Sequence, residues 1–171
     1  MSAMSVGLEK AVKEMLRLMK KYRGLKTEAW FRVCLRVNRK SGIVNPMILG
    51  VGIDIIEVAR IASSYEKFGG RFVNRILHAD EIDYCLSHKN PAPFLAVRFS
   101  AKEAISKAFG TGICAQLGWQ DMEIRHRESG EPFVVLHGKG KKLFRSRRAK
   151  RLLVSLSHTA NYAAATAVLE K

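Results

Sequence analysis

Two hydrophobic periods alternate along this chain, and the places where one gives way to the other mark its elements. In residues 8–22, Leu8, Val12, Met15 (or Leu16) and Met19 recur at helical spacing, with Lys10, Lys13, Lys20 and Lys21 around the rest. That pattern predicts an amphipathic helix. A short segment at 30–37 mixes apolar residues with Arg32 and Arg36, and Ser41, Gly42, Asn45 and Pro46 read as a linker. A Val- and Ile-rich apolar run predicts a buried strand over 48–54. Helical patterns follow at about 58–65 and 71–77, and His78-Ala79-Asp80 opens a short helix with Asp80 as cap and Glu81 in its first turn. Pro91 and Pro93 break the chain before a central helix whose apolar face is Phe94, Val97, Ala101, Ala104, Ile105 and Ala108. Alternation over 119–125, a turn at Glu128-Ser129-Gly130 and a return strand over 132–136 predict a hairpin. A basic helix over 138–149 and strands over 152–157 and 162–168 complete the chain. Helices mixed with mainly antiparallel strands around a central helix make the fold class α+β.

The polar positions of the central stretch, residues 98–112, are as ordered as its apolar ones. Arg98 and Lys102 are four apart, as are Glu103 and Lys107, so each pair shares a face and one carboxylate sits among three cations. Helical ion pairing accounts for such a pattern as readily as a binding site does. The helix ends in Gly110-Thr111-Gly112, which reads either as a helix stop or as bare amides open to an anion. Asp54 interrupts the apolar run before it, and a carboxylate at the end of a buried strand must be paired, hydrogen-bonded or bound to a cation.

Taken together, Gly52-x-Asp54 with Arg60-Ile61, and Phe99-x-x-Lys102-Glu103-Ala104 with Lys107-Ala108-x-Gly110-Thr111-Gly112, resemble the two signature motifs of the holo-(acyl-carrier-protein) synthase family. These are small 4′-phosphopantetheinyl transferases. The resemblance continues through residues 71–77 and Ser155-Leu156-Ser157-His158-Thr159, and it covers 47–170. Val97 departs from it, standing where the family often has a small residue. The resemblance implies the phosphopantetheinyl transferase fold for 47–171 and assembly into a homotrimer with active sites between subunits.

Composition narrows the partners. The 171 residues suit one domain with a real core, and no window reaches the roughly 18 apolar residues of a membrane span. The formal charge is +15; residues 1–46 hold 11 basic against 3 acidic side chains, and the remainder 19 against 12. Such a balance calls for an acidic partner, and on charge alone nucleic acid is the commoner one. A basic nucleic-acid-binding module would leave Asp54 and Glu103 without a purpose, since carboxylates in such a groove repel phosphates. The resemblance points instead to acyl carrier protein, which is acidic, and to coenzyme A. Eight basic residues between Lys139 and Arg151 add long-range steering of acidic partners or simply a solvated face. Cys34, Cys85 and Cys114 form neither a zinc pattern nor an even disulfide set, which fits a reducing, cytoplasmic setting. Residues 1–46 read as an organelle-targeting peptide, a lineage-specific extension, or the product of a start codon upstream of Met47.

The reaction implied by the resemblance moves phosphopantetheine from coenzyme A to a serine of apo acyl carrier protein, for fatty acid synthesis. The same motifs would serve a transferase acting on polyketide or peptide carrier domains. Asp54 and Glu103 match the family's two carboxylates for Mg²⁺, or else are salt-bridged to Lys102 or Lys107. Arg98, Lys102 and Lys107 would contact coenzyme A phosphates, with Lys102 also stabilising the leaving group. Gly110, Thr111 and Gly112 would approach the nucleotide, and His158 the 3′-phosphate. Glu103, or a water held by Asp54 or Glu103, would take the serine proton. Arg60, Arg71, Phe72 and Arg75 would dock the acidic helix of the carrier protein.

Overall fold

The computed structural model describes residues 47–171. The expected helix over 8–22, the segment at 30–37 and the linker lie outside the described residues. Element order is β1 (Ile48–Glu57), α1 (Val58–Phe68), α2 (Gly70–Ile76), α3 (Ala79–Leu86), α4 (Ala92–Ala108), a 3-10 turn (Trp119–Asp121), β2 (Met122–His126), β3 (Pro132–Leu136), α5 (Gly138–Ser146), β4 (Arg151–His158) and β5 (Tyr162–Glu170). An antiparallel sheet in the order β1-β5-β4 and a separate β2-β3 hairpin flank α4. The fold is α+β, as the pattern of periods predicts.

Helix α4 is the axle of this unit. Leu95, Ala96, Ala101, Ala104 and Ile105 are completely buried, and the helix belongs to both hydrophobic clusters. One cluster joins it to α1, α2 and α3, the other to the hairpin and the inner face of the sheet. Its Pro93 sits in the first turn, where a missing N–H costs nothing, so this proline starts the helix instead of preceding it.

Three boundaries differ from expectation. Strand β1 runs on to Glu57, because β5 offers ladder partners as far as Tyr162, so Asp54 lies within the strand and not at its end. Trp119 belongs to a 3-10 turn that feeds β2. Helix α3 begins after His78, whose backbone N–H donates to the Glu81 carboxylate at 2.9 Å, while Asp80 pairs with Arg125 and caps nothing. The cap is supplied from inside the helix, by the third residue reaching back.

Candidate active site

The site begins with two glycines. Gly50, Gly52 and Asp54 share one face of β1, because side chains alternate along a strand. That face carries α4. A Cβ at Gly52 would stand 1.9 Å from the carbonyl oxygen of Ala104, and one at Gly50 would stand 2.0 Å from that of Ala108. Two strand residues span about 6.6 Å and four helix residues about 6 Å, so the two elements stay in step. One turn further back, Ser100 Oγ donates to the Asp54 carbonyl at 2.9 Å. Glycine here serves close approach, and the approach fixes where α4 presents its polar side chains relative to Asp54.

At that seam Lys107 Nζ donates to Asp54 Oδ1 at 2.8 Å and to the carbonyl of Ile53 at 3.1 Å. Glu103 stands one turn before Lys107 on the same helix face. Partial burial raises its pKa above the usual carboxylate range, and the Asp54 charge raises it further, against the opposing pull of Lys107. The two carboxylates therefore feel each other, and a single lysine does not balance both. Such a pair is the donor chemistry of a hard divalent cation.

Lys102 does not join them, which corrects the expectation that it binds phosphate. Its side chain is wholly buried and its ammonium donates to Glu81 Oε2 at 2.7 Å, to the Ile76 carbonyl at 2.6 Å and to the Trp119 carbonyl at 3.4 Å. Burial lowers its pKa and the Glu81 charge opposes that shift. Every donor is engaged inside the protein, so this lysine ties α4 to α3. Glu81 answers with its other oxygen, accepting the Ile124 N–H at 3.0 Å.

Arg98 also points inward, but to a different end. It is 2% exposed, its guanidinium carbon lies 4.2 Å from the centre of the Tyr84 ring, and its Nε has no hydrogen-bond partner. Among the described residues no carboxylate pairs with it. Tyr84 stacks on His126 at 5.2 Å and lies 4.9 Å from His88; His88 stacks on Phe94 at 3.6 Å, and Phe94 meets His158 edge-on at 5.0 Å. Burial and the Arg98 charge lower the pKa of His126. The chain of rings thus connects Arg98 with His158, the expected nucleotide-side histidine. A buried cation without a counter-charge, walled by aromatic rings, is what an anionic aromatic ligand would complete.

The remaining expectations divide. The amides of Thr111 and Gly112 both donate to the Ser106 carbonyl, at 3.1 and 3.2 Å, and that of Gly110 to Lys107. They terminate α4, so these three amides are already engaged and are not bare. Gly110 and Gly112 are needed for their positive φ of 71° and 62°. Arg60, Arg71 and Arg75 are exposed on α1 and α2. Phe72, expected as an exposed anchor, is half-buried against the core, whereas Phe68, the last residue of α1, is 46% exposed. Sequence patterning did not single out Tyr84, His88, His126, Ser100 or Phe68, and it read Glu81 only as a first-turn charge; lone aromatic and polar residues carry no period. Burial pushes the Cys85 thiol up to about 11, which leaves it an inert packing group.

Comparison with known proteins agrees with this geometry. The family model described as "4'-phosphopantetheinyl transferase superfamily" matches residues 50–167. The holo-(acyl-carrier-protein) synthase of Koribacter versatilis is 46% identical over 124 residues, covering 72% of this chain and 99% of the relative. The crystal structure of the Neisseria meningitidis synthase superimposes with a TM-score of 0.69 at 34% identity, covering 73% of this chain and all of that one. That of the Helicobacter pylori synthase in complex with coenzyme A gives 0.63 at 33% identity, over 70% and 98% of the two chains. The chain therefore belongs to the holo-(acyl-carrier-protein) synthase family of the 4′-phosphopantetheinyl transferase superfamily.

Proposed function

We propose that this protein transfers 4′-phosphopantetheine from coenzyme A to a serine hydroxyl of apo acyl carrier protein and releases adenosine 3′,5′-bisphosphate. The observation that carries this reading is the Asp54–Glu103 pair, held against Lys107 where α4 crosses β1. The fit to Mg²⁺ rests on that pair: two carboxylates raise each other's cost, and one lysine is their counter-ion. Asp54 and Glu103 would hold the ion, which when bound supplies positive charge to the pyrophosphate. Lys107, about half exposed, is placed to move from Asp54 to a phosphate oxygen. The serine oxygen bonds to the phosphorus bearing the pantetheine, the bond from that phosphorus to the bridging oxygen breaks, and the nucleotide leaves with the electron pair. Glu103 is placed to accept the serine proton.

Arg98 and His158 with their aromatic wall supply the place for the nucleotide end. Arg60, Arg71 and Arg75, with the exposed Phe68 at the end of α1, would form the surface for the acidic carrier protein.

The assembly proposed is the homotrimer. In one copy Val51, Ile53 and Ile55 on the outer face of β1 are 58%, 66% and 68% exposed, and Leu153 on β4 is 40% exposed. A monomer rarely leaves such a stripe in water, and a second copy covers it. An open cleft lined by Glu57, Ala62, Asn90 and Tyr162 does not include either carboxylate. The catalytic pair lies outside it, as expected of a site that a neighbouring subunit completes.

Intact-mass spectrometry tests the reaction. Apo acyl carrier protein incubated with the full chain, coenzyme A and Mg²⁺ gains one phosphopantetheine; omitting Mg²⁺ or using Glu103→Ala abolishes the gain. No gain with wild-type protein on carrier proteins of fatty acid, polyketide and peptide synthesis would overturn the reading. Relative rates among those carriers assign the pathway.

A further inference from the structure

A second group of metal-ligand side chains stands apart from the carboxylate pair. His78 precedes α3, Glu123 lies on β2 and His137 follows β3, and one ligand atom from each lies within 4.8 Å of the other two. Glu123 is 2% exposed, and His137 Nε2 stands 2.7 Å from its Oε2. The rings of His78 and His137 face each other with centroids 4.6 Å apart. Their backbones are held independently: the His78 N–H by Glu81, and the His137 N–H by the Asp121 carbonyl at 2.8 Å. His78 Nε2 lies 3.0 Å from the Gln120 carbonyl. A carbonyl only accepts, so Nε2 carries the proton and Nδ1 keeps its lone pair. Metal-binding histidines are commonly oriented in this way. Arg125 occupies the other oxygen of Glu123 and orients that carboxylate.

We propose that His78, Glu123 and His137 form a three-ligand site for a borderline divalent cation of the zinc type, with the fourth position left to water. Two imidazoles and one carboxylate favour Zn²⁺ over Mg²⁺, which prefers an all-oxygen shell. The chemistry separates this site from Asp54 and Glu103. Tetrahedral ligands about 2.0 Å from zinc stand about 3.3 Å from one another, so His137 and Glu123 part slightly and His78 closes in. A neutral His137 ligates through Nε2 with its ring proton on Nδ1, and the ion takes the place of the Nε2–Glu123 hydrogen bond. His137 is about one-third exposed, which gives the ion a path. The three ligands come from three elements, so the ion pins the β2–β3 hairpin to the start of α3, the helix that supplies Glu81 to Lys102 and Tyr84 to Arg98.

The test uses the tag-free full chain, stripped of metal and titrated with Zn²⁺. Bound metal is counted by elemental analysis after gel filtration, and Co²⁺ absorption reports the ligand geometry. Wild-type protein and Asp54→Asn/Glu103→Gln should each retain one zinc and melt at higher temperature when it is bound. In His137→Ala and His78→Ala the affinity should fall at least about tenfold and the zinc-dependent rise in melting should vanish. Metal-free melting curves show whether each variant is folded, and His78→Ala, at a helix entrance, carries the test if His137→Ala is not. Undiminished zinc affinity in a folded histidine variant, or zinc lost only from Asp54→Asn/Glu103→Gln, would overturn the proposal.

Discussion

Among individual residues, the decisive contrast is between two neighbours, Lys102 and Glu103. One is sealed in the interior on Glu81; the other sits half-buried at the seam with Asp54. Removing one partner of a buried ion pair strands the other, so Lys102→Ala should cost about 3–5 kcal/mol in urea unfolding. Replacing both partners by apolar residues should not restore full stability, because Glu81 also satisfies the amides of Ile124 and His78. Glu103 behaves in the opposite sense. Its folded pKa is raised by burial and by Asp54, so the folded protein holds that proton to higher pH than the unfolded chain. Stability then falls as pH rises from the unfolded value through the folded one, while the charged form that binds a cation appears. Mg²⁺ affinity should therefore be weaker at the lower than at the higher of two pH values that bracket the raised folded pKa, and Glu103→Gln should flatten both dependences. Calorimetric titration at the two pH values, with unfolding curves alongside, checks the sign.

Elements meet here through what is missing from them. Helix α4 can lie on β1 because Gly50 and Gly52 have no Cβ, and the matched rise of the two elements keeps Ser100, Ala104 and Ala108 opposite Asp54, Gly52 and Gly50. Gly52→Ala drives a methyl into the Ala104 carbonyl. Backbone must move, so the cost should reach or exceed about 1–3 kcal/mol, and the seam should open enough to lower Mg²⁺ affinity. Gly110→Ala meets no atom within 4 Å and suffers only its positive φ. It should cost about 1 kcal/mol and leave Mg²⁺ affinity as it was. Urea unfolding and metal titration of the two variants side by side separate close approach from backbone strain.

For the whole molecule, the sheet has one finished face and one unfinished. Inward residues of β1, β4 and β5 pack on α4, while Val51, Ile53, Ile55 and Leu153 face outward. Ile53→Lys should leave the monomer folded, since that side chain is 66% exposed, yet shift sedimentation from the proposed trimer to monomer. If a neighbouring subunit completes the proposed Asp54–Glu103 site, transferase activity should fall with it. A monomer of full activity in the ultracentrifuge and the mass assay would show that one subunit suffices.

Much of this was legible beforehand. Periods of 3.6 and 2 placed the helices and strands, and glycine, carboxylate and lysine at fixed spacing marked β1 and α4, because those patterns arise from local geometry that every chain shares. The destinations of individual side chains were not. Spacing put Arg98, Lys102, Glu103 and Lys107 on one helix, but α3 captured Lys102 through Glu81 and Arg98 through Tyr84, leaving only Lys107 for Asp54. Likewise the Thr111 and Gly112 amides turned back on Ser106 and that of Gly110 on Lys107, and Phe72 packed against the core while Phe68 stayed out. Local order along this chain was determined by sequence alone; which charged side chain meets which was decided only by tertiary structure, because partners such as Lys102 and Glu81 or Lys107 and Asp54 are tens of residues apart and compete for the same few buried positions.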